Sequence, residues 1–136
     1  MSETFLLPTW VVQAPVARLA TVDGTQPHLV PVVFCVGDGQ LFIPIDGKRK
    51  SGAPLKRVRN IEHNPAVSLL VDAYSNDWSR LRWTRIDGRA GLVSTDPAIR
   101  AALEAKYPQY EHVEIGARAI RITIEHVASW SATEQP

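Results

Sequence analysis

The stretch Val16-Ala-Arg-Leu-Ala-Thr-Val22, closed by Asp23-Gly24 and continued by His28-Leu-Val-Pro-Val-Val-Phe-Cys-Val36, Gly37-Asp-Gly39 and Gln40-Leu-Phe-Ile-Pro-Ile-Asp46, decides the fold. Apolar side chains recur with a period of two, and Asp-Gly or Gly-Asp-Gly punctuates each run, which predicts three consecutive antiparallel strands. The joining turns are too short for crossover helices, so a parallel α/β sheet is excluded. Pro27 and Pro31 cannot donate to a ladder, so the second strand belongs at an edge or is bulged over part of its length.

Working outward, Ser2 to Ala14 has the pattern of a short amphipathic helix, with Phe5, Trp10 and Val11 on one side and Pro8 interrupting it. Downstream, Pro54 opens a helix with Leu55, Val58 and Ile61 on one face and a stop at Asn64-Pro65. Ala66 to Asp72 is a buried strand. Arg80 to Val93 is another, interrupted at Asp87-Gly88 by a bulge or by a hairpin turn. Asp96-Pro97 caps a helix that runs to about Tyr107 and stops before Pro108. Ala117 to Trp130 alternates Ile120, Ile122 and Ile124 with charged neighbours and reads as a half-buried strand. The expected architecture is mainly β with two or three short helices, six or so antiparallel strands forming a barrel or strongly bent sheet, in one domain over residues 1–136.

Composition narrows the function. With 45% apolar and 21% charged residues, the 136-residue chain is neither disordered nor a coiled coil. A net charge of +1 excludes a broadly polybasic nucleic-acid binder. Cys35 is the only cysteine, so no intramolecular disulfide and no thiolate metal cluster can form, which favours a reducing, cytoplasmic setting. No apolar run is long enough to span a bilayer, and Met1 to Pro15 lacks the basic start of a secretion signal. His28, His63, His112 and His126 do not form a HExxH pair, and no metal site is expected. Neither GxGxxG nor a Walker loop follows a strand.

The charge is unevenly distributed. Lys48, Arg49, Lys50, Lys56, Arg57 and Arg59 fall in one twelve-residue segment without an acidic residue, and removing them leaves nine positive against fourteen negative residues. A strand end, a Gly-containing turn and a helix start come together there, an arrangement suited to an anion such as phosphate. A solvated turn and the polar face of a helix remain the other reading of the same residues.

Val16-Ala-Arg-Leu-Ala-Thr-Val22, Pro27-His-Leu-Val-Pro-Val32, Ile45-Asp46, the basic helix, Ile61-Glu-His-Asn-Pro-Ala-Val67 and Leu69-Leu-Val-Asp72 together resemble the pyridoxamine 5′-phosphate oxidase-like superfamily. Within it, Asn76-Asp-Trp-Ser-Arg-Leu-Arg-Trp83 followed by Asp87-Gly-Arg-Ala90 is similar to the actinobacterial branch of coenzyme F420-dependent oxidoreductases. The resemblance implies a split β-barrel (FMN-binding-like) that forms a homodimer, with flavin or deazaflavin in a groove between the subunits. It implies cofactor-phosphate contacts from Lys56 and Arg57, backbone contacts to the ring from Pro31, Val32 and Val33, and a strand end beside the phosphate at Ile45 and Asp46. Pro8 inside the first helix, and Ser51-Gly-Ala-Pro54 in place of a more basic stretch, depart from the family pattern; Lys48, Arg49 and Lys50 are carried as cofactor-binding candidates all the same.

Trp78 and Trp83 lie in the segment that approaches the ring in relatives, where they either stack on a flat heterocycle or bury at a dimer interface. Coenzyme F420 carries a phosphate diester and a glutamate tail, against the single phosphate of FMN, so the six clustered cations with Arg80, Arg82, Arg85 and Arg89 favour F420, with FMN as the alternative. The implied activity is hydride transfer to an unidentified conjugated small molecule; a non-catalytic cofactor-binding module is the reading from another class. No side chain is assigned as catalytic, and Tyr74, His28 or solvent are the candidate proton donors. Neither nucleic acid nor a membrane is expected as a partner.

Overall fold

A computed structural model describes residues 5–46 and 55–133. Pro8 sits at the N-cap of α1 (Thr9–Gln13), so the described part of the expected helix over Ser2–Ala14 is helical for five residues, while Ser2–Thr4 lie outside the described residues. Then follow β1 (Ala17–Asp23), β2 (Gln26–Val32), β3 (Cys35–Gly37), β4 (Gln40–Pro44), α2 (Lys56–His63), β5 (Ala66–Ala73), β6 (Arg82–Ser94), α3 (Pro97–Lys106) and β7 (Arg118–Ser131). Asp96 caps α3 as expected, its carboxylate accepting from the Ile99 N–H at 2.8 Å.

The single expected strand His28–Val36 is two strands, which brings the count among the described residues to seven. All seven form one antiparallel sheet in the order β2-β1-β5-β6-β7-β4-β3. The two edges, β2 and β3, are consecutive in the chain and joined only by Val33 and Phe34. Three Cα–Cα steps span at most about 11 Å. The sheet must therefore curl until its edges nearly meet, yet β2 and β3 do not pair, so the barrel is split along this seam. Pro27 and Pro31 lie on β2, at the edge where their missing donors are tolerated.

The turns match their sequences. Asp38 and Gly39 occupy the tight β3–β4 turn with φ of 53° and 73°, the left-handed pair that a two-residue hairpin requires. At Asp87-Gly88 the structure selects the bulge. Asp87 faces His126 and Gly88 faces Ile124, so Glu125 of β7 is the extra residue and β6 runs unbroken. A Cβ on Gly88 would lie 2.3 Å from the Thr123 carbonyl oxygen, so only glycine admits this approach. The bulge falls where the sheet changes wings: β5 pairs with Arg82–Arg89 of β6, while β4 pairs with 119–123 of β7.

The barrel interior contains Leu19, Leu41, Ile43, Leu69, Val71, Ile86, Ile120 and Ile122, each at most 1% exposed. A second cluster of Cys35, Ile99, Leu103, Tyr107 and Ile115 seats α3 over the seam. There the link is held by polar contacts. The Phe34 N–H donates to the Tyr107 hydroxyl at 3.1 Å, and Lys106 Nζ donates to the Phe34 carbonyl at 2.8 Å. The Tyr107 proton is directed at the carbonyls of Pro15 (3.0 Å) and Phe34 (3.1 Å).

Candidate functional site

Helix α2 turns Val58, Asn60 and Ile61 inward, and the buried Asn60 amide donates to Thr21 Oγ1 at 3.0 Å. This anchoring fixes where its first two residues emerge. Lys56 reaches back to the Asp23 carboxylate at the end of β1 and holds that carboxyl below its usual range. Arg57 is half-buried, and its Nε is buried without a hydrogen-bond partner among the described residues. Burial lowers its pKa, and the neighbouring Asp46 opposes that shift.

Asp46 follows β4 and is immobilised on both oxygens: Oδ1 accepts from the Gly116 N–H at 2.7 Å and Oδ2 from the Tyr110 hydroxyl. Burial raises the Tyr110 pKa, and the bond to Asp46 raises it further. Gly116 is required here, since a Cβ would lie 1.9 Å from the Ile45 carbonyl oxygen. The Ile45 N–H in turn donates to the Arg118 carbonyl at 3.0 Å. The result is a rigid strand end bearing a carboxylate, beside a guanidinium with one donor unused. Such an arrangement can receive an oxyanion through the planar fork of arginine.

The structure brings Ile45, Asp46 and Arg57 together and places Lys56 on the same helix, engaged by Asp23. Lys48, Arg49 and Lys50 lie outside the described residues. Pro31, Val32 and Val33 form the end of edge strand β2 and the start of the seam: Pro31 is exposed opposite Arg18, Val32 faces the core, and Val33 packs toward α3. Trp83 lies on the outer face between Asp72 of β5 and Trp130 of β7, and Trp78 is 69% exposed in a 3₁₀ turn, Trp78–Arg80. These tryptophans do not converge on Arg57. Ile45 bonds at the start of β7, whereas Trp130 and Ser131 are at its far end, beside Trp83 and Arg82.

The arginines differ in their availability. Arg85 is held 3.1 Å from Asp87, whose carboxylate also accepts from Ser68 at 2.7 Å and approaches His126 Nδ1 at 3.2 Å. Burial raises the Asp87 pKa, but these hydrogen bonds together outweigh it and leave the pKa lowered. Arg82 stacks over the Trp10 ring, its Cζ 4.3 Å from the centroid. With Arg80 and Tyr74 it lines a cavity of about 740 Å³. Tyr110 and Gly116 were absent from the sequence-derived site, because their approach to Asp46 is a contact across some 65–70 residues that no local pattern announces. His28, half-buried on β2, faces Thr21, and its Nδ1 has no partner among the described residues.

Residues 7–131 match the family model described as pyridoxamine 5′-phosphate oxidase. No curated protein matches the sequence. Among solved structures, an FAD-binding protein of Mesorhizobium loti is 22% identical with a TM-score of 0.67, the match covering 87% of this chain and 84% of that one. A conserved hypothetical protein of Mycobacterium tuberculosis is 20% identical over 96% of this chain and 91% of its own, with a TM-score of 0.69. General stress protein 26 of Bacillus anthracis is 20% identical over 89% and 88%, with a TM-score of 0.66. These likenesses establish the split-barrel fold. No helix among the described residues is long and apolar enough to cross a membrane.

Proposed function

Because the chain belongs to the pyridoxamine 5′-phosphate oxidase family, we propose that it is a cytoplasmic flavin- or deazaflavin-dependent oxidoreductase, a homodimer whose cofactor groove lies between the subunits. The observation that carries this reading is Arg57 Nε, buried without a partner among the described residues beside the fixed Asp46. A phosphate oxygen would satisfy that donor and offset the burial of the charge. Lys48, Arg49 and Lys50, which follow Asp46-Gly47 in the sequence, would add positive charge to the phosphate contacts. The backbone of Pro31–Val33, at an unpaired sheet edge, would supply hydrogen bonds to the ring.

The separation of the candidate groups supports the dimer. A ligand touching both the Arg57 end and the Trp83 end would draw them from two chains. The outer face carries Leu29 (67% exposed) and Trp130 (47% exposed), with Val16 and Leu70 also exposed, and a second copy would cover this face.

When bound, the cofactor supplies a two-electron redox centre that exchanges hydride with a conjugated small molecule. The chain's own residues hold the phosphate, fix the plane of the ring and exclude water. Tyr74, which lines the cavity of about 740 Å³, His28 or solvent would supply a proton where one is needed. Coenzyme F420 is the preferred cofactor, since Arg57, Arg80 and Arg82 lack a carboxylate within 4.0 Å among the described residues and exceed what one phosphate needs. FMN is the second reading, in line with the Mesorhizobium loti neighbour being named for a flavin, FAD.

Titration of the purified protein with F420 and with FMN, followed by visible absorption and fluorescence, tests the proposal. Saturable binding of either is expected, tighter for F420; binding of neither overturns it. If the reduced cofactor binds but no acceptor in a broad panel oxidises it, the chain is a carrier and not an enzyme.

A further inference from the structure

We propose that Tyr110 is a positioning residue: by holding the Asp46 carboxylate it keeps that group from pairing with Arg57, and so leaves the guanidinium open to an oxyanion. The two opposite charges are neighbours, since Asp46 opposes the burial-driven lowering of the Arg57 pKa. Left to itself such a pair closes, because a buried donor without an acceptor is costly and a carboxylate matches the arginine fork. Here it has not closed. No Asp46 oxygen lies within 4.0 Å of an Arg57 nitrogen, and Arg57 Nε has no partner among the described residues.

What keeps the two apart is the segment after α3. Tyr110, in the 3₁₀ turn Pro108–Glu111, donates to Asp46 Oδ2, while the Gly116 N–H donates to Oδ1 at 2.7 Å. Two donors, one on each oxygen, hold the carboxylate against rotation. Both are themselves anchored. The Gly116 carbonyl accepts from Thr95 Oγ1 at 2.7 Å, and the Tyr110 N–H donates to the Tyr107 carbonyl at 3.1 Å. The Tyr110 ring stands edge-on to that of Tyr107, at 6.2 Å and 89°, and Tyr107 is bound to Phe34 at the seam. Burial, and then the bond to Asp46, raise the Tyr110 pKa, so the hydroxyl remains a donor at neutral pH. Removing that hydroxyl leaves Asp46 on one tether, free to turn its second oxygen toward Arg57. The anion site would then be filled by the chain's own carboxylate. That the oxyanion is a cofactor phosphate rests on the oxidoreductase reading; the restraint on Asp46 does not.

The test is Tyr110→Phe, which keeps the ring and its contact with Tyr107, read in the full chain by two measurements. Without cofactor, hydrogen exchange of the Arg57 Nε–H, followed by nuclear magnetic resonance, is expected to slow about tenfold as the ion pair closes, and to recover in Tyr110→Phe/Asp46→Ala. With cofactor, Tyr110→Phe is expected to bind F420 or FMN about tenfold more weakly than the wild type, and adding Asp46→Ala is expected to restore part of the loss. A tyrosine that served only to pack the strand end would give no such recovery, since a second lesion there would weaken binding further. Unchanged exchange in Tyr110→Phe, or, where a cofactor binds, a double variant no tighter than Tyr110→Phe, would overturn the proposal. Urea unfolding checks that Tyr110→Phe stays folded. If it does not, Asp46→Ala alone decides: Arg57 exchange that quickens there would mean that the ion pair already exists in the wild type, and an unchanged rate supports the restraint. If neither F420 nor FMN binds, the oxidoreductase reading fails while the exchange measurement still decides the role of Tyr110. If a cofactor binds equally well to the wild type and to Tyr110→Phe, that reading stands and this inference falls.

Discussion

Helices α2 and α3 each present a lysine beside a larger hydrogen-bonding side chain, Lys56-Arg57 at the start of one and Lys106-Tyr107 at the end of the other. At α3 both side chains are satisfied by the seam: Tyr107 and Lys106 bond the backbone of Phe34, and Lys106 Nζ lies 3.6 Å from the Phe34 ring centroid. At α2, among the described residues, Lys56 has a partner in Asp23, while Arg57 keeps a buried donor without one. Burial lowers the pKa of both Arg57 and Lys106, so the two sites look alike by that measure. They differ in whether the chain satisfies its own polar atoms. A buried donor left open costs free energy that a ligand can recover, whereas a closed hydrogen-bond set serves the fold.

Four substitutions can break or sharpen this contrast. The largest effect is expected for Phe34→Ala, which empties a fully buried position at the seam: a loss of about 3–5 kcal/mol in denaturant unfolding. A loss below about 1 kcal/mol would mean the link is not a structural keystone. Next, Arg57→Ala should weaken cofactor binding at least about tenfold, as expected for a lost charge-assisted hydrogen bond, with the unfolding midpoint nearly unchanged. Weak binding in Tyr107→Phe and normal binding in Arg57→Ala would invert the comparison.

Lys106→Met probes the closed pair through pH. Burial lowers the Lys106 pKa to about 8 from 10.5. Between these values the unfolded chain holds more protons than the native one, so this group makes stability rise with pH across that window. Cys35, raised by burial to about 11 from 9.0, acts in the opposite direction in both proteins. The difference between the wild-type and Lys106→Met curves should therefore grow in favour of the wild type from about pH 8 to 10.5, and a flat difference would show the amine to be solvated. The smallest effect is expected for Lys56→Ala, whose exposed partner Asp23 gives an ion pair of little weight. Its melting temperature should match the wild type within error.

Much of the fold was legible in the sequence. Period-two runs and Asp-Gly turns placed β1, β4, β5 and β7 within a residue or two, and Asp96-Pro97 located α3. The break between β2 and β3 was not legible, because Val32-Val-Phe-Cys35 continues the apolar run without a turn residue. What interrupts the ladder there is Tyr107 and Lys106, some 73 residues away, which take over the Phe34 backbone groups. Asp87-Gly88 was legible as an irregularity, but the extra residue belongs to β7, at Glu125.

By itself the sequence determined the strands, their hairpin order and the concentration of positive charge around α2, since these depend on periodicity, turn chemistry and composition. The tertiary structure decided which cations have partners: Asp23 engages Lys56, Asp87 engages Arg85, and Phe34 receives Lys106, while Arg57, Arg80 and Arg82 have no carboxylate within 4.0 Å among the described residues. The reason is that charge is a property of a residue, but the satisfaction of a buried donor depends on atoms that only chain folding brings within about 3 Å.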